Sequence, residues 1–268
     1  MNPLTQIDAY KIDHRSQYPS GTTQVQNNFT ARSDKFSNIP KEYREGVVFF
    51  GLQYYIVDYL ITEWNENFFN RSKTAVCTTY KRRIDNVLGT SMPVEHIEEL
   101  HDLGFLPLEI KALPEGTMVP YKVPMCVVQA TNPKFAWLPN YLETVESQYL
   151  WQPTTSATTG FFYRQLFQEY AQKTCETEDL VPFQAHDFSA RGMPGPQAAA
   201  MSGAGHLLSN AGTDTVAAID FLETYYAADV DEEIVGVSVP ASEHSVLCMG
   251  GELTEKDTFE RLLALYPT

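Results

Sequence analysis

Leu52, Tyr55, Ile56, Tyr59 and Leu60 recur at helical spacing, which predicts a helix opening over Tyr54–Leu60. Val76, Tyr80, Ile84 and Val87 predict a second. The period then changes. Leu108, Ile110 and Ala112 alternate with polar residues, as in a strand, and Pro114-Glu115-Gly116 reads as a turn. Met125–Ala130 reads as a second, more buried strand. Leu138, Tyr141, Leu142, Val145 and Tyr149 form another helical stripe, and Phe161–Lys173 a further helix. After about Thr177 the predicted order is a strand at Val181–Phe188, a loop RGMPGP, an alanine-rich helix at Gln197–Leu208, a loop AGTDT and a helix at Val216–Tyr226. A strand at Ile234–Val239 and a helix at Thr254–Tyr266 follow, the latter with Phe259, Leu262, Leu263 and Tyr266 on one face. Strand, loop and helix in succession predict βα units and a parallel sheet or barrel. A subdomain boundary is expected between residues 150 and 180, and there is no internal repeat.

Composition narrows the class. The 268 residues are 43% hydrophobic and 20% charged, an ordinary globular balance with length for a real core. No apolar run approaches the roughly 20 residues of a membrane helix. The opening MNPLTQIDAYKIDHRSQ has no apolar signal core, so a cytoplasmic protein is expected. The formal charge of −15 repels nucleic acid and anionic membrane, although a local basic pocket can still hold phosphate. Cys77, Cys126, Cys175 and Cys248 are scattered and form no CxxC pair. They are expected to be buried thiols in a reducing compartment, with no zinc site and no disulfide framework.

In parallel α/β folds, loops after strand ends carry function. Three such loops are unusually polar: HDFSARG (His186–Gly192), GTDT (Gly212–Thr215) and SVPASEHS (Ser238–Ser245). Singly, each has a structural explanation. His186 and Asp187 suit a strand end, Asp214 suits a helix N-cap, and Glu243 and His244 suit a surface pair. Together they point to a shared site in the segment from His186 to His244.

These motifs, in this order, resemble nicotinamide phosphoribosyltransferase. DAYKIDHRSQYPSGT near the start, FFGLQYYI at Phe49–Ile56 and LPLEIKALPEGTMVP at Leu106–Pro120 extend the resemblance to essentially the whole chain. It implies an α/β fold, an incomplete type II phosphoribosyltransferase α/β barrel with an N-terminal α+β domain, divided as 1–165 and 166–268. It also implies transfer of a phosphoribosyl group from phosphoribosyl pyrophosphate to nicotinamide, giving nicotinamide mononucleotide and pyrophosphate in NAD salvage. The partners implied are a second copy in a homodimer, Mg2+ bound mainly through substrate phosphates, and ATP as an optional phosphoryl donor.

The resemblance assigns roles to individual residues. Phe188 matches the aromatic that stacks on the pyridine ring, since a flat π-surface suits a face-on aromatic partner. Tyr10 matches the tyrosine that closes the other face from the neighbouring subunit. Arg191 matches an arginine beside ring and phosphate, and Arg32 one that reaches the phosphates, where a fixed fork of donors suits phosphate oxygens. An ordered N-terminal arm with no ligand role is the structural alternative for Tyr10 and Arg32. Asp214 matches the carboxylate that accepts a hydrogen bond from the amide; ionised, it attracts an amide N–H and repels the carboxylate of nicotinate. Ser238 and Val239 match the pocket lining, and His244 the phosphorylated histidine, whose neutral imidazole nitrogen is a competent nucleophile when its other nitrogen is held. The adjacent Glu243 is not expected to be that holder, because consecutive side chains point apart.

The family pattern continues past Thr268. It implies a further strand with an aspartate orienting the histidine, an arginine–aspartate pair near ribose and metal, and a glycine-rich loop for the 5′-phosphate. No protein metal ligand is assigned in this chain. The loop SARGMPGPQAAA also lacks the family's tyrosine and the acidic residue near Gln197. Three readings follow: an enzyme portion completed by a separate C-terminal chain or continuing frame, a non-catalytic nicotinamide-binding or dimerising remnant, or a nicotinate-type relative, against which Asp214 argues.

Overall fold

In the computed structural model, which describes residues 1–267, the first half is built on one aromatic core. Tyr55, Tyr59, Trp64 and Phe68 are at most 1% exposed and are spaced four, five and four residues apart. That spacing exceeds the 3.6 residues of an α-turn. The chain answers by widening: Leu52–Tyr54 starts as α-helix, then Tyr55–Glu63 and Asn65–Phe69 run as π-helix, with Asn70 N–H reaching back to the carbonyl of Asn65 at 2.9 Å. The predicted helix at Tyr54–Leu60 therefore exists, wound more loosely and continued further. Helices Lys73–Leu88 and Glu95–Leu103 pack on the same core through Tyr80, Ile84, Ile97 and Leu100.

A three-stranded antiparallel sheet covers this core. It is made of β1 (Gln26–Thr30), β3 (Leu108–Ala112) and β5 (Pro124–Ala130), in the order β1-β5-β3. Val128 of β5 stands opposite Asn27 and Ile110. β2 (Val47–Val48) pairs antiparallel with β4 (Met118–Val119), and the turn at Pro114-Glu115-Gly116 forms, with Gly116 at φ +84. Both predicted strands in this half are present.

The two helices expected at Leu138–Tyr149 and Phe161–Lys173 are one 37-residue helix, Leu138–Thr174, which runs through Pro153. Proline offers no N–H, so the carbonyl of Tyr149 loses its intrahelical donor. The neighbouring chain is fitted to that turn. Gly51, at φ +108, lies so close that a Cβ would stand 2.6 Å from Pro153 Cγ and 2.8 Å from the Tyr149 oxygen. One turn on, Thr154 accepts from Phe50 N–H at 3.3 Å and donates to its carbonyl at 3.0 Å, and Thr158 accepts from Val48 N–H at 2.9 Å. Buried hydroxyls thus satisfy backbone groups of β2 and the residues after it, as buried polar groups require.

Beyond the long helix lie β6 (His186–Asp187) and β7 (Gly212–Thr213), the parallel pair among the described residues. Helices Pro196–Leu207 and Val216–Tyr226 follow them as predicted. The strand expected at Val181–Phe188 is reduced to β6. Pro182 fixes φ and cannot donate, and Val181–Phe183 forms a 3-10 turn whose Pro182 carbonyl takes the N–H of Ala211 at 2.7 Å. No strand forms over Ile234–Val239. Ile234 and Val239 are mostly exposed, and pairing along that segment is reduced to an isolated β-bridge at Val237.

The chain divides into two compact units, Met1–Gly236 and Val237–Thr268, and Thr268 itself lies outside the described residues. The division expected at residues 165/166 falls inside the long helix. In the second unit, Glu255–Leu265 is helical as predicted, but Phe259, Leu263 and Tyr266 are exposed. All four cysteines are free; Cys77 and Cys126 are buried, whereas Cys175 and Cys248 are exposed, contrary to the expectation of four buried thiols. Among the described residues no helix is long and apolar enough to cross a membrane.

Helix Pro196–Leu207 approaches the long helix through glycine. A Cβ on Gly205 would lie 2.7 Å from the Pro153 carbonyl oxygen and 3.0 Å from Ala157 N. Helix propensity alone makes Gly205→Ala stabilising by up to about 1 kcal/mol. The close backbone contact reverses the sign, and urea denaturation should show a net loss of about 1–3 kcal/mol. A stabilised variant would refute this contact.

Candidate functional site

Two clefts collect the residues with chemistry in the first unit. The larger, about 560 Å³, lies beside β6. The parallel register sets its geometry: His186 stands opposite Gly212 and Asp187 opposite Thr213. Alternation then sends successive side chains to opposite faces.

On the helix-facing side, Asp187 is buried and its carboxylate is fully engaged. Oδ1 accepts from the hydroxyl and the N–H of Ser189, and Oδ2 accepts from Thr213 Oγ1 at 3.2 Å. Ser189 Oγ, its proton given to Asp187, accepts from Ser202 Oγ at 2.9 Å, and Ser202 shares a 2.9 Å hydrogen bond with Ser156 of the long helix. The result is a chain of hydroxyls from the long helix to β6 and β7. Thr215 extends it, with its hydroxyl accepting from Ala190 N–H at 3.1 Å. This network fixes the backbone from which Phe188 and Arg191 project.

On the other face are the aromatic and the carboxylate. Phe188 lines the cleft with its ring 59% exposed, beside the His186 ring at 5.2 Å between centroids. His186 Nε2 lies 3.2 Å from Asp214 Oδ1. Asp214 is not the N-cap of helix Val216–Tyr226; Thr215 holds that position, and Asp214 N–H donates to the Asp187 carbonyl at 2.9 Å. The structure therefore brings Phe188 and Asp214 together, with His186 between them. Arg191 sits in the helical turn Ser189–Gly192, exposed and without an ion-pair partner among the described residues.

The sequence reading missed His186 as a site residue, and also Tyr163, Ser156, Ser202 and His206, which line the cleft. Burial holds the His206 imidazole below its ordinary pKa, and its Nε2 has no hydrogen-bond partner. His186 stands at the head of the HDFSARG loop, and no motif marks the other four. Those four come from two helices, Ser156 and Tyr163 from Leu138–Thr174 and Ser202 and His206 from Pro196–Leu207, whose faces meet only in the fold.

The second cleft, about 510 Å³, lies against β1 and the start of the long helix, and Arg32 lines it. Tyr10 stands 60% exposed at its border: its ring contacts His14, which hydrogen-bonds Asn140 at 2.9 Å, while Lys11 pairs with Glu143. Asn140 and Glu143 both line the cleft. Tyr10 and Arg32 thus belong to one neighbourhood, and the two clefts share no lining residue. The structural alternative, an ordered arm, is met in part, since Lys11 is buried.

In the second unit, taken by itself, His244 opens a single helical turn, His244–Leu247, and is exposed. The Glu243 carboxylate accepts from Ser245 Oγ, so it is engaged away from His244. Ser238 and Val239 lie in irregular chain of the same unit, and both are exposed. Among the described residues no group of three His, Cys, Asp or Glu could hold a metal ion.

The architecture matches a known class. It resembles the crystal structure of human nicotinic acid phosphoribosyltransferase with a TM-score of 0.59 at 17% identity, over 90% of this chain and 40% of that one. The chain therefore has a phosphoribosyltransferase fold. The description "Nicotinamide phosphoribosyltransferase, N-terminal domain" matches residues 2–110, and that of the nicotinate phosphoribosyltransferase family matches residues 183–264. A nicotinamide phosphoribosyltransferase of Acinetobacter baylyi is 54% identical over all of this chain and 53% of its own length. One from Xanthomonas campestris pv. campestris is 31% identical over 99% of this chain and 53% of its own. Along its whole length the chain is similar to nicotinamide phosphoribosyltransferases, and it spans about half the length of the curated relatives it matches.

One carboxyl in the Arg32 cleft gives a direct test of its surroundings. Glu146 is buried, accepts from Asn27 Nδ2 at 2.7 Å, and burial pushes its pKa from 4.5 up to about 7. The unfolded chain loses this proton near the ordinary value, the folded chain only near 7. Stability should therefore be full below about pH 4.5, fall as pH rises to about 7, and be lower by about 3 kcal/mol above it. Glu146→Gln should abolish that slope, with the urea midpoint at pH 8 rising relative to the wild type. A slope that persists would mean that Glu146 ionises normally.

Proposed function

We propose that the chain carries the nicotinamide-recognising part of a nicotinamide phosphoribosyltransferase, which joins nicotinamide to phosphoribosyl pyrophosphate and releases pyrophosphate. The supporting observation is that one imidazole, His186 of β6, lies against both an open aromatic, Phe188, and the carboxylate of Asp214. A planar ring bearing a carboxamide needs both: a surface to stack on and an acceptor for its N–H. The similarity to relatives of that name over the whole chain supports the same substrate class.

In this reading Asp214 sets selectivity. A charged hydrogen bond contributes about 1.5–3 kcal/mol, and a nicotinate carboxylate would meet repulsion instead. Arg191 is placed beside ring and phosphate. Arg32 and Tyr10 act on a second copy, as phosphate donor and as the opposite aromatic face, which makes the working form a homodimer. Their separate cleft supports this, because one copy's Phe188 cleft does not include them.

Mg2+ is placed, in this reading, on the substrate's phosphates. His244, exposed at the head of its turn, is the acceptor proposed for a phosphoryl group from ATP. The cytoplasm is the proposed compartment, and a C-terminal chain of the kind that completes the relatives' length is the proposed partner.

Nicotinamide mononucleotide should form from nicotinamide and phosphoribosyl pyrophosphate when the chain is combined with the remaining part of the Acinetobacter baylyi relative. Asp214→Asn should cut the preference for nicotinamide over nicotinate by about tenfold or more. No product under any combination would favour a binding or dimerising module. Incubation with ATP should yield acid-labile phosphohistidine, absent in His244→Ala, and equal labelling of that variant would remove His244 from the role.

A further inference from the structure

His186 carries an arrangement that neither the motifs nor the similarities assign. Its imidazole bridges the two groups of the proposed nicotinamide site: Nε2 lies 3.2 Å from Asp214 Oδ1, and the ring meets that of Phe188 at 5.2 Å with a 45° tilt. The imidazole nitrogen thus faces the carboxylate at ion-pair distance. The ring's seat is also specific. Gly212 stands opposite His186 in register, and a Cβ there would come within 2.8 Å of His186 Nδ1 and 2.7 Å of the Ala185 oxygen. Glycine leaves the slot that lets the imidazole lie across β7 toward Asp214.

This contact does little for the fold. The two side chains are 25% and 36% exposed, and exposed pairs contribute little to stability. Its effect is on geometry. A ligand that must stack on Phe188 and donate to Asp214 at once needs the ring and the carboxylate at a fixed separation. A side chain held before binding loses less freedom on binding.

We infer that His186 is a positioning and specificity-determining residue, which fixes the Asp214 carboxylate relative to the Phe188 ring and thereby sets the preference for an aromatic carboxamide over the corresponding acid. The inference rests on the substrate reading above.

The experiment is calorimetric titration of the full chain with nicotinamide and with nicotinate. His186→Ala and His186→Phe should each lower nicotinamide affinity by about tenfold, with under about twofold change for nicotinate. His186→Gln, whose amide nitrogen can occupy the Nε2 position, should recover most of the lost preference. In an Asp214→Asn background, His186→Ala should change the preference no further. Equal losses for both ligands, no recovery by His186→Gln, additive effects in the double variant, or failure of both the Ala and Phe variants to fold would each overturn the proposal. Asp214→Asn with unchanged preference, or a wild type that binds neither ligand, would instead overturn the substrate reading itself, and this inference with it.

Discussion

A helix that continues through a proline leaves a carbonyl without its donor, and its neighbours must be shaped to that turn. Here the turn is Tyr149–Pro153 of helix Leu138–Thr174, and much of the first unit is arranged around it. Gly51 presses against Pro153 Cγ from one side. Gly205 presses against the Pro153 carbonyl and Ala157 N. Both positions exclude a Cβ, so the chain after β2 and helix Pro196–Leu207 are each held at backbone range. The next turns supply Thr154 and Thr158, whose hydroxyls satisfy the backbone of Val48 and Phe50. One helix thus supports the aromatic core in its first part and the β6–β7 pair in its second.

The site inherits its order from that helix through polar contacts. β6 and β7 are two residues each, too short to hold a register on backbone hydrogen bonds alone. What holds them is the chain from Ser156 through Ser202 and Ser189 to Asp187 and Thr213. A buried carboxylate with all its donors present is costly to disturb, because losing one leaves a desolvated charge. The network therefore fixes the backbone at residues 187–189 while the Phe188 ring stays open to the cleft. An exposed aromatic on a rigid support suits stacking, since little order has to be gained when a ring arrives.

Much of this was legible as periodicity, and the failures have identifiable causes. The stripe at Leu52–Leu60 announced a helix, but the 4-5-4 spacing of Tyr55, Tyr59, Trp64 and Phe68 carried the further fact that its turns are wide. The stripes at Leu138–Tyr149 and Phe161–Lys173 read as two helices, and Pro153 lies inside the one helix that joins them. Its tolerance depends on Gly51, a hundred residues away in sequence, which no local pattern reveals. Val181–Phe188 read as a strand, and Pro182 turned its first half aside. Phe188 and Asp214 were accessible through motif resemblance, whereas His186 required the parallel register, because only pairing with Gly212 and its neighbour brings the imidazole to the Asp214 carboxylate. Motifs mark which residues matter; the cross-strand contact that relates them is a long-range product of the fold.

The net charge of −15 sharpens the question of how such a site chooses a neutral ring. A diffuse negative field disfavours every anion, and in the proposed reaction one substrate is a polyphosphate. Long-range repulsion therefore cannot reject an acidic ring without also opposing the phosphates. Screening over about 8–10 Å confines useful discrimination to contact range. The arrangement separates the tasks accordingly. Exposed cations, Arg191 near the β6 cleft and Arg32 in the other, are local exceptions to the field and suit phosphate oxygens. In the proposed reading Asp214 acts at hydrogen-bond distance, where one carboxylate favours an amide N–H and opposes a carboxylate without altering the potential at a phosphate farther away. On that proposal, selectivity for the amide is a property of a few ångströms around Asp214, and it depends on where that carboxylate is held more than on how much charge the chain carries.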